Sequence, residues 1–176
     1  MGRSQQSCAP SGLPFENWTD ISWSRYEKET QKLQRRIAKA VREKKFGKAR
    51  ALQNILTRSL AARALAVRRI TTNTGAKTPG VDRVRWTTHK QKMKALKKLT
   101  DRRTYHALPL RRVYIPKKNG KFRPLGIPTM LDRAMQALYL LALLPVAEEE
   151  AYPHSYGFRV RRAKLVRNCS MQQYVA

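Results

Sequence analysis

Lysine and arginine side chains dominate the chemistry available to this sequence. They number 38 among 176 residues, against 11 aspartates and glutamates, giving a formal net charge of +27 and a pI near 11.1. A charge excess of one sign attracts a polyanion: DNA, RNA or an anionic membrane surface. Between Lys28 and Arg69 the cations recur at helical spacing outside an apolar stripe. Charge alone does not separate these partners. We expect the phosphates of a nucleic acid to bind Lys32, Arg35, Arg36, Lys39, Arg42, Arg58, Arg68 and Arg69.

The longest apolar stretch, residues 134–147, is too short to cross a membrane. Gln136 and Pro145 interrupt it, and a bilayer requires about 20 apolar residues. The N-terminus carries Glu16 and Asp20 and lacks the apolar run of a secretory signal. We therefore expect a buried core helix in this stretch, no membrane partner and an intracellular protein.

Side chains that bind metals or perform catalysis are scattered along the chain. Cys8 and Cys169 lie at its opposite ends, in no spacing typical of a zinc site or a disulfide framework. The histidines at 89, 106 and 154 also lack the spacing of metal ligands. We therefore assign no catalytic residue and no metal ligand.

The N-terminal half is predicted to be helical. Residues 1–24 form a flexible arm with the aromatic anchors Phe15, Trp18 and Trp23. Apolar periodicity predicts a helix over residues 28–45 and, after Gly47, a second over residues 49–69, together an antiparallel pair. A loop rich in Gly, Pro and Thr follows at residues 71–82, and then a short helix capped at residue 87 or 88.

The next segment is predicted to be a β-hairpin. Strands at about 110–116 and 121–127 flank Asn119-Gly120, a favoured two-residue turn. Tyr114 and Phe122 are expected to pack in the core. Thr129 caps a helix over residues 130–144, after which Pro145 either kinks it or starts another turn through residue 150. The fold class is α+β and mainly helical.

Asp132 and Arg133 stand at the start of this helix. An aspartate near a helix N-terminus is favourable to the helix dipole, so we expect a structural cap or an ion pair there. The acidic run at residues 148–150 is expected to be a solvated helix end that could also contact a basic neighbour.

The order of several motifs resembles the start of group II intron-encoded reverse transcriptases, which are also maturases. These motifs are TPGVD, RRVYIPKKNGKFRPLGIPTMLDRAMQAL and SYGFR. The resemblance implies a basic N-terminal domain with the TPGVD loop at residues 25–85 and a partial fingers region at residues 86–159. It leaves a divergent tail at residues 160–176. Arg83 stands where the family usually has a glycine, so the turn at this point is an open question.

The resemblance also implies a function. The family copies RNA into DNA with two metal ions held by palm aspartates and helps its intron RNA to splice. The chain has no YADD sequence, so we expect no polymerase activity from it alone and no cofactor, with Mg²⁺ needed only if a separate palm completes the enzyme. The predicted partner is structured group II intron RNA. Lys117 and Arg123 match family positions that contact the nucleotide triphosphate.

Two other interpretations remain open. The chain could be a polymerase subunit completed by a separate palm and thumb chain, or a repurposed structural protein of a ribonucleoprotein particle. Each of these functions would place it in a bacterial cytoplasm or in an organelle of bacterial origin.

Overall fold

A computed structural model describes residue 15 and residues 17–100 and 104–152 of the chain. As predicted, the fold is mainly helical with one antiparallel hairpin. The elements are α1 (Trp23–Arg42), α2 (Phe46–Arg58), α3 (Leu60–Thr72), α4 (His89–Lys98), β1 (Arg111–Pro116), β2 (Phe122–Ile127) and α5 (Met130–Glu150). Most of the predicted arm, the SYGFR motif and the tail at 160–176 lie outside the described residues.

A tight turn joins α1 to α2 and makes the two helices neighbours. At its centre Lys44 adopts a left-handed conformation, with φ of 56°. The Lys44 N–H donates to the carbonyl of Val41 and the Lys45 N–H to that of Ala40, both at 2.8 Å. This is a Schellman motif, in which the two bonds satisfy carbonyls at the end of α1. The helices then pack against each other, as expected for a helical hairpin.

The single helix predicted over residues 49–69 is wrong, because Ser59 divides it into α2 and α3. Ser59 has extended backbone with ψ of 141°, and its hydroxyl accepts from the Ala62 N–H at 3.1 Å. The same hydroxyl donates to the Leu56 carbonyl at 2.8 Å. Ser59 therefore caps both helix ends, while the apolar periodicity continues through the break.

Helices α3 and α5 lie at the centre of the core. α3 contributes small side chains, with Ala61, Ala62, Ala64 and Ala66 all buried, and it packs against α1 and α5. α5 is long and apolar enough by length and composition to cross a membrane. Its contacts with α1, α2 and α3 show instead that it serves as the predicted core helix. The helix continues through Pro145 and ends at Glu150.

The aromatic anchors near the N-terminus contact the helical body. Trp18 begins a short 3-10 turn at Trp18–Asp20 and is 7% exposed, with its ring 5.0 Å from that of Trp23. The ring of Phe15 lies 6.4 Å from that of Tyr26. The guanidinium of Arg68 stacks over Trp23 at 4.7 Å. These contacts hold the segment before α1 against that helix and the start of α1 against α3.

The strands match the prediction, but the turn between them does not. Lys117 and Lys121 close a three-residue loop, because the Lys117 N–H donates to the Lys121 carbonyl at 2.7 Å and the Gly120 N–H to the Lys117 carbonyl at 3.1 Å. Gly120 has φ of 75°, and Asn119 has no positive φ, which a two-residue type I′ turn would require. The observed form is a tight turn followed by a left-handed glycine.

Tyr114 and Phe122 are not in the core, contrary to the prediction. They are 58% and 65% exposed, on the face of the hairpin that also carries Pro116 and Pro124. Strand alternation divides the side chains between two faces. A face is buried only where a second layer covers it. Within the described residues no helix packs over either face of this two-stranded ribbon.

The TPGVD loop is fixed to the start of α5. Arg133 donates to the carbonyls of Gly75, Thr78 and Pro128 at 2.8, 2.6 and 3.0 Å. Burial lowers the pKa of this guanidinium. The Arg83 N–H donates to the Gly80 carbonyl at 3.3 Å, so the turn forms although a glycine is replaced. Arg83 itself takes the left-handed conformation, with φ of 55°.

Candidate nucleic-acid interface

The outer face of α1 carries a row of cations, which we call the α1 row. It consists of Lys28, Lys32, Arg35 and Lys39, with Arg36 on its flank. Successive members are three or four residues apart, so they lie on one side of the helix, opposite the buried Ile37. Eleven rises of about 1.5 Å each separate Lys28 from Lys39, so the row is roughly 16 Å long. A cationic line of this length can contact several phosphates.

Most cations of the α1 row have no carboxylate partner. Lys32, Arg35 and Arg36 are exposed and form no ion pair within the described part of the chain. Lys39 makes only a long, exposed contact of 3.8 Å with Glu43, which contributes little. The row therefore presents charge to solvent.

Two predicted phosphate ligands are instead held by the chain itself. Arg42 donates to both carboxylate oxygens of Glu149 at 2.7 and 3.1 Å, and this bond raises the pKa of Arg42 and lowers that of Glu149. Arg68 pairs with Glu27 at 2.9 Å beside its contact with Trp23. These pairs link α1 to α5 and to α3, respectively.

The two remaining predicted cations lie on other helices. Arg58 is in the last turn of α2 and Arg69 in the last turn of α3, and both are exposed. The eight predicted residues are thus divided among an exposed row, two structural pairs and two helix ends.

The hairpin places Lys117 and Arg123 on the same face. Arg123 pairs with Ile115, and Lys117 lies two residues beyond Ile115, so alternation directs both cations to one side. Diagonal neighbours of this kind have Cβ atoms about 7 Å apart. Lys121, opposite Lys117, adds a third cation to this face. The face can therefore contact one compact polyanionic group.

A basic cleft between α3 and α4 was not predicted. It has a volume of about 610 Å³, and its lining is Thr71, Thr72, Asn73, Thr74, Ala76, Lys77, Arg85, Trp86, Thr87 and Lys92. Trp86 is half-buried beside the exposed Lys77 and Arg85. The signal in the sequence was a tryptophan next to an arginine, shortly after a loop rich in threonine.

The acidic and phenolic groups near α5 have structural partners. Asp132 is buried and forms a capping box with Thr129, as the prediction of a structural cap required. Its other oxygen accepts from the Tyr105 hydroxyl at 2.5 Å. Burial and this bond raise the pKa of Tyr105 to about 12. Among the described residues, no group of three His, Cys, Asp or Glu is placed to hold a metal.

The N-terminal half of the chain is similar to a known protein family. Residues 18–99 match the N-terminal domain of reverse transcriptase, which covers α1 to α4 and both the α1 row and the basic cleft. This stretch is thus related to the N-terminal region of group II intron reverse transcriptases.

Two curated relatives support this assignment. The chain is 45% identical over 104 residues to Protein YkfC of Escherichia coli K12, an alignment of 57% of this chain and 27% of the relative. It is 36% identical over 102 residues to the group II intron-encoded protein LtrA of Lactococcus lactis, covering 56% and 17%, respectively. The matched region thus spans about a quarter or less of each relative.

Proposed function

We propose that this domain binds structured RNA, and group II intron RNA in particular, through the α1 row. The observation that carries the proposal is the exposed set Lys32, Arg35 and Arg36, which has no acidic partner within the described residues. Because phosphate contacts release counterions, such a set supplies affinity that depends strongly on salt. The relation to an intron-encoded protein favours RNA over DNA.

In this proposal the domain holds the RNA and does not copy it. Fixing part of an intron on a rigid helical surface would help the RNA to reach its splicing-competent fold. Asp132 serves as a helix cap and Glu149 as one half of an ion pair, so the proposal assigns no catalytic step to them.

The test measures binding of a transcribed group II intron RNA to the full chain over a salt series. Changing Lys32, Arg35 and Arg36 to Ala removes three phosphate contacts. We expect the slope of log K against log salt to become shallower by about 2 to 3. Alanine favours helix, so α1 should remain folded.

A matched control is available on α4. Lys94, Lys97 and Lys98 have the same spacing as the three α1 cations and are also exposed. Changing them to Ala removes the same charge but should alter the salt slope much less. Equal slopes for the two triple variants would contradict a specific role for the α1 row. Equal affinity for a structured ribosomal RNA of the same length would favour a ribonucleoprotein role over intron binding.

The hairpin supports a second candidate function, as part of a polymerase completed by a separate palm and thumb chain. The supporting observation is that Lys117 and Arg123 share one face of the ribbon, where they could bind triphosphate oxygens together. In that assembly Mg²⁺ would belong to the palm.

This candidate is tested by mixing the chain with a palm and thumb fragment of a relative, a deoxynucleoside triphosphate and Mg²⁺. Arg123→Ala should weaken nucleotide binding about tenfold or more, because a charge-assisted contact is lost. Arg112 lies on the opposite face, opposite Gly126, so Arg112→Ala is the matched control. No nucleotide binding by the mixture, or equal losses from the two variants, would reject this function.

A further inference from the structure

The basic cleft combines three features that suit a single nucleotide. Its volume of about 610 Å³ lies within the range of small-ligand sites. Trp86 is half-buried against the hydrophobic core and also lines the cleft, where its indole could stack on any base. Lys77 and Arg85 are exposed at its edge and form no ion pair within residues 17–100 and 104–152, which leaves them able to bind phosphate.

The threonines of the cleft add capacity for hydrogen bonds to a base. Thr71 donates its hydroxyl proton to the Val67 carbonyl at 3.0 Å, and Thr72 donates its own to the Arg68 carbonyl at 2.9 Å. Each hydroxyl oxygen can still accept, so it fits the amino or imino donors of a base edge. Because the indole and these acceptors lie in the same cleft, a base can stack and bond at once.

We propose that this cleft binds an unpaired nucleotide of the RNA, with the base on Trp86 and the phosphates at Lys77 and Arg85. Paired bases are stacked inside a duplex and cannot enter such a cleft, so the site reads single-stranded RNA. The α1 row, by contrast, contacts phosphates and does not distinguish paired from unpaired strands. The inference rests on the proposed RNA binding and adds a second, structurally separate contact.

The test compares two RNA hairpins with the full chain by fluorescence polarisation, one blunt and one with a single-stranded extension. Wild type should bind the extended hairpin more tightly. Trp86→Ala should reduce that affinity about tenfold, in the range of one stacked base, and leave the blunt hairpin unchanged. Trp86→Phe should restore most of the loss because it restores an aromatic face.

A second variant does not depend on the half-buried indole. Lys77→Ala combined with Arg85→Ala changes only exposed side chains and should weaken binding of the extended hairpin selectively. If that double variant binds both hairpins like wild type, and Trp86→Ala does not weaken the extended one selectively, the cleft does not hold the unpaired strand. The α1 row then remains as the site. Failure of wild type to bind either hairpin would instead reject the proposed function itself.

Discussion

The side-chain amide of Gln34 in α1 donates a hydrogen bond of 2.8 Å to the backbone carbonyl of Leu141 in α5. Leu141 lies four residues before Pro145, which has no N–H to offer that carbonyl. The amide of Gln53 in α2 donates to the next carbonyl, that of Ala142, at 3.0 Å. Two glutamines from neighbouring helices thus satisfy the part of α5 that the proline disturbs, and this is how the helix continues to Glu150.

Loss of the hydrogen bond from Gln34 should lower the free energy of unfolding most while Pro145 is present. Gln34→Ala leaves the Leu141 carbonyl without its donor, so we expect the free energy of unfolding to fall by about 1 to 2 kcal/mol. With Pro145→Ala, a backbone N–H can serve Leu141, and the same change at Gln34 should cost less than half as much. Urea denaturation of the four proteins in this cycle measures the difference. Equal costs in both backgrounds would mean that Gln34 does not compensate for Pro145.

Gly80 should not tolerate a side chain. A Cβ atom there would lie 2.6 Å from the Cα of Thr129 and 2.9 Å from the carbonyl oxygen of Pro128, both backbone atoms. We expect Gly80→Ala to lower the free energy of unfolding by about 2 to 3 kcal/mol. Gly47→Ala is the control, since nothing lies within 4 Å of a Cβ on this helical residue, and it should raise stability by about 0.5 kcal/mol. Similar effects of the two changes would contradict the close contact at Thr129.

Two left-handed residues offer sites for stabilisation. Lys44 and Arg83 have φ of 56° and 55°, where glycine avoids the strain of a Cβ atom. Replacing either with Gly should raise the free energy of unfolding by about 0.5 to 1 kcal/mol, and the thermal midpoint with it. Lys44→Ala keeps the Cβ atom and should leave the midpoint nearly unchanged. A gain from alanine equal to that from glycine would attribute the effect to the lost charge.

The ion pair formed by Arg42 and Glu149 should make the stability of the protein depend on pH. The bond lowers the pKa of Glu149, so its contribution is complete above the ordinary glutamate pKa and is lost as the pH falls through the lowered value. Glu149→Gln should therefore destabilise the protein at pH 7 and have little effect at pH 2. Urea midpoints of both proteins at the two pH values measure this. The neighbouring Glu150, at the exposed end of α5, is a control whose change to Gln should matter at neither pH.

Local signals in the sequence were sufficient for much of the fold. Alternation at Val113 and Ile115 located β1, and Thr129 marked the start of α5, because both features act within a few residues. The division at Ser59 was missed since apolar periodicity continues across it. The exposure of Tyr114 could not be predicted from alternation, which does not show whether a second layer covers a strand.

The candidate site was predictable to a similar extent. The α1 row follows from helical spacing alone. The pairing of Arg42 with Glu149 joins residues 107 positions apart, and that of Arg68 with Glu27 joins residues 41 apart, so both depend on tertiary packing. The basic cleft likewise needs the end of α3 and the start of α4 to meet. Contacts between side chains that lie far apart in the sequence cannot be predicted from residue spacing.

The hairpin lies outside the helical core, and this has a consequence for local unfolding. A ribbon of two strands is only marginally stable without a covering layer, whereas the amides of α3 and α5 are protected by the whole bundle. Amide hydrogens of β1 and β2 should therefore exchange with solvent orders of magnitude faster than those of α3, through openings that leave the helices intact. The domain should behave as a stable helical body that carries a strand pair able to open and close by itself.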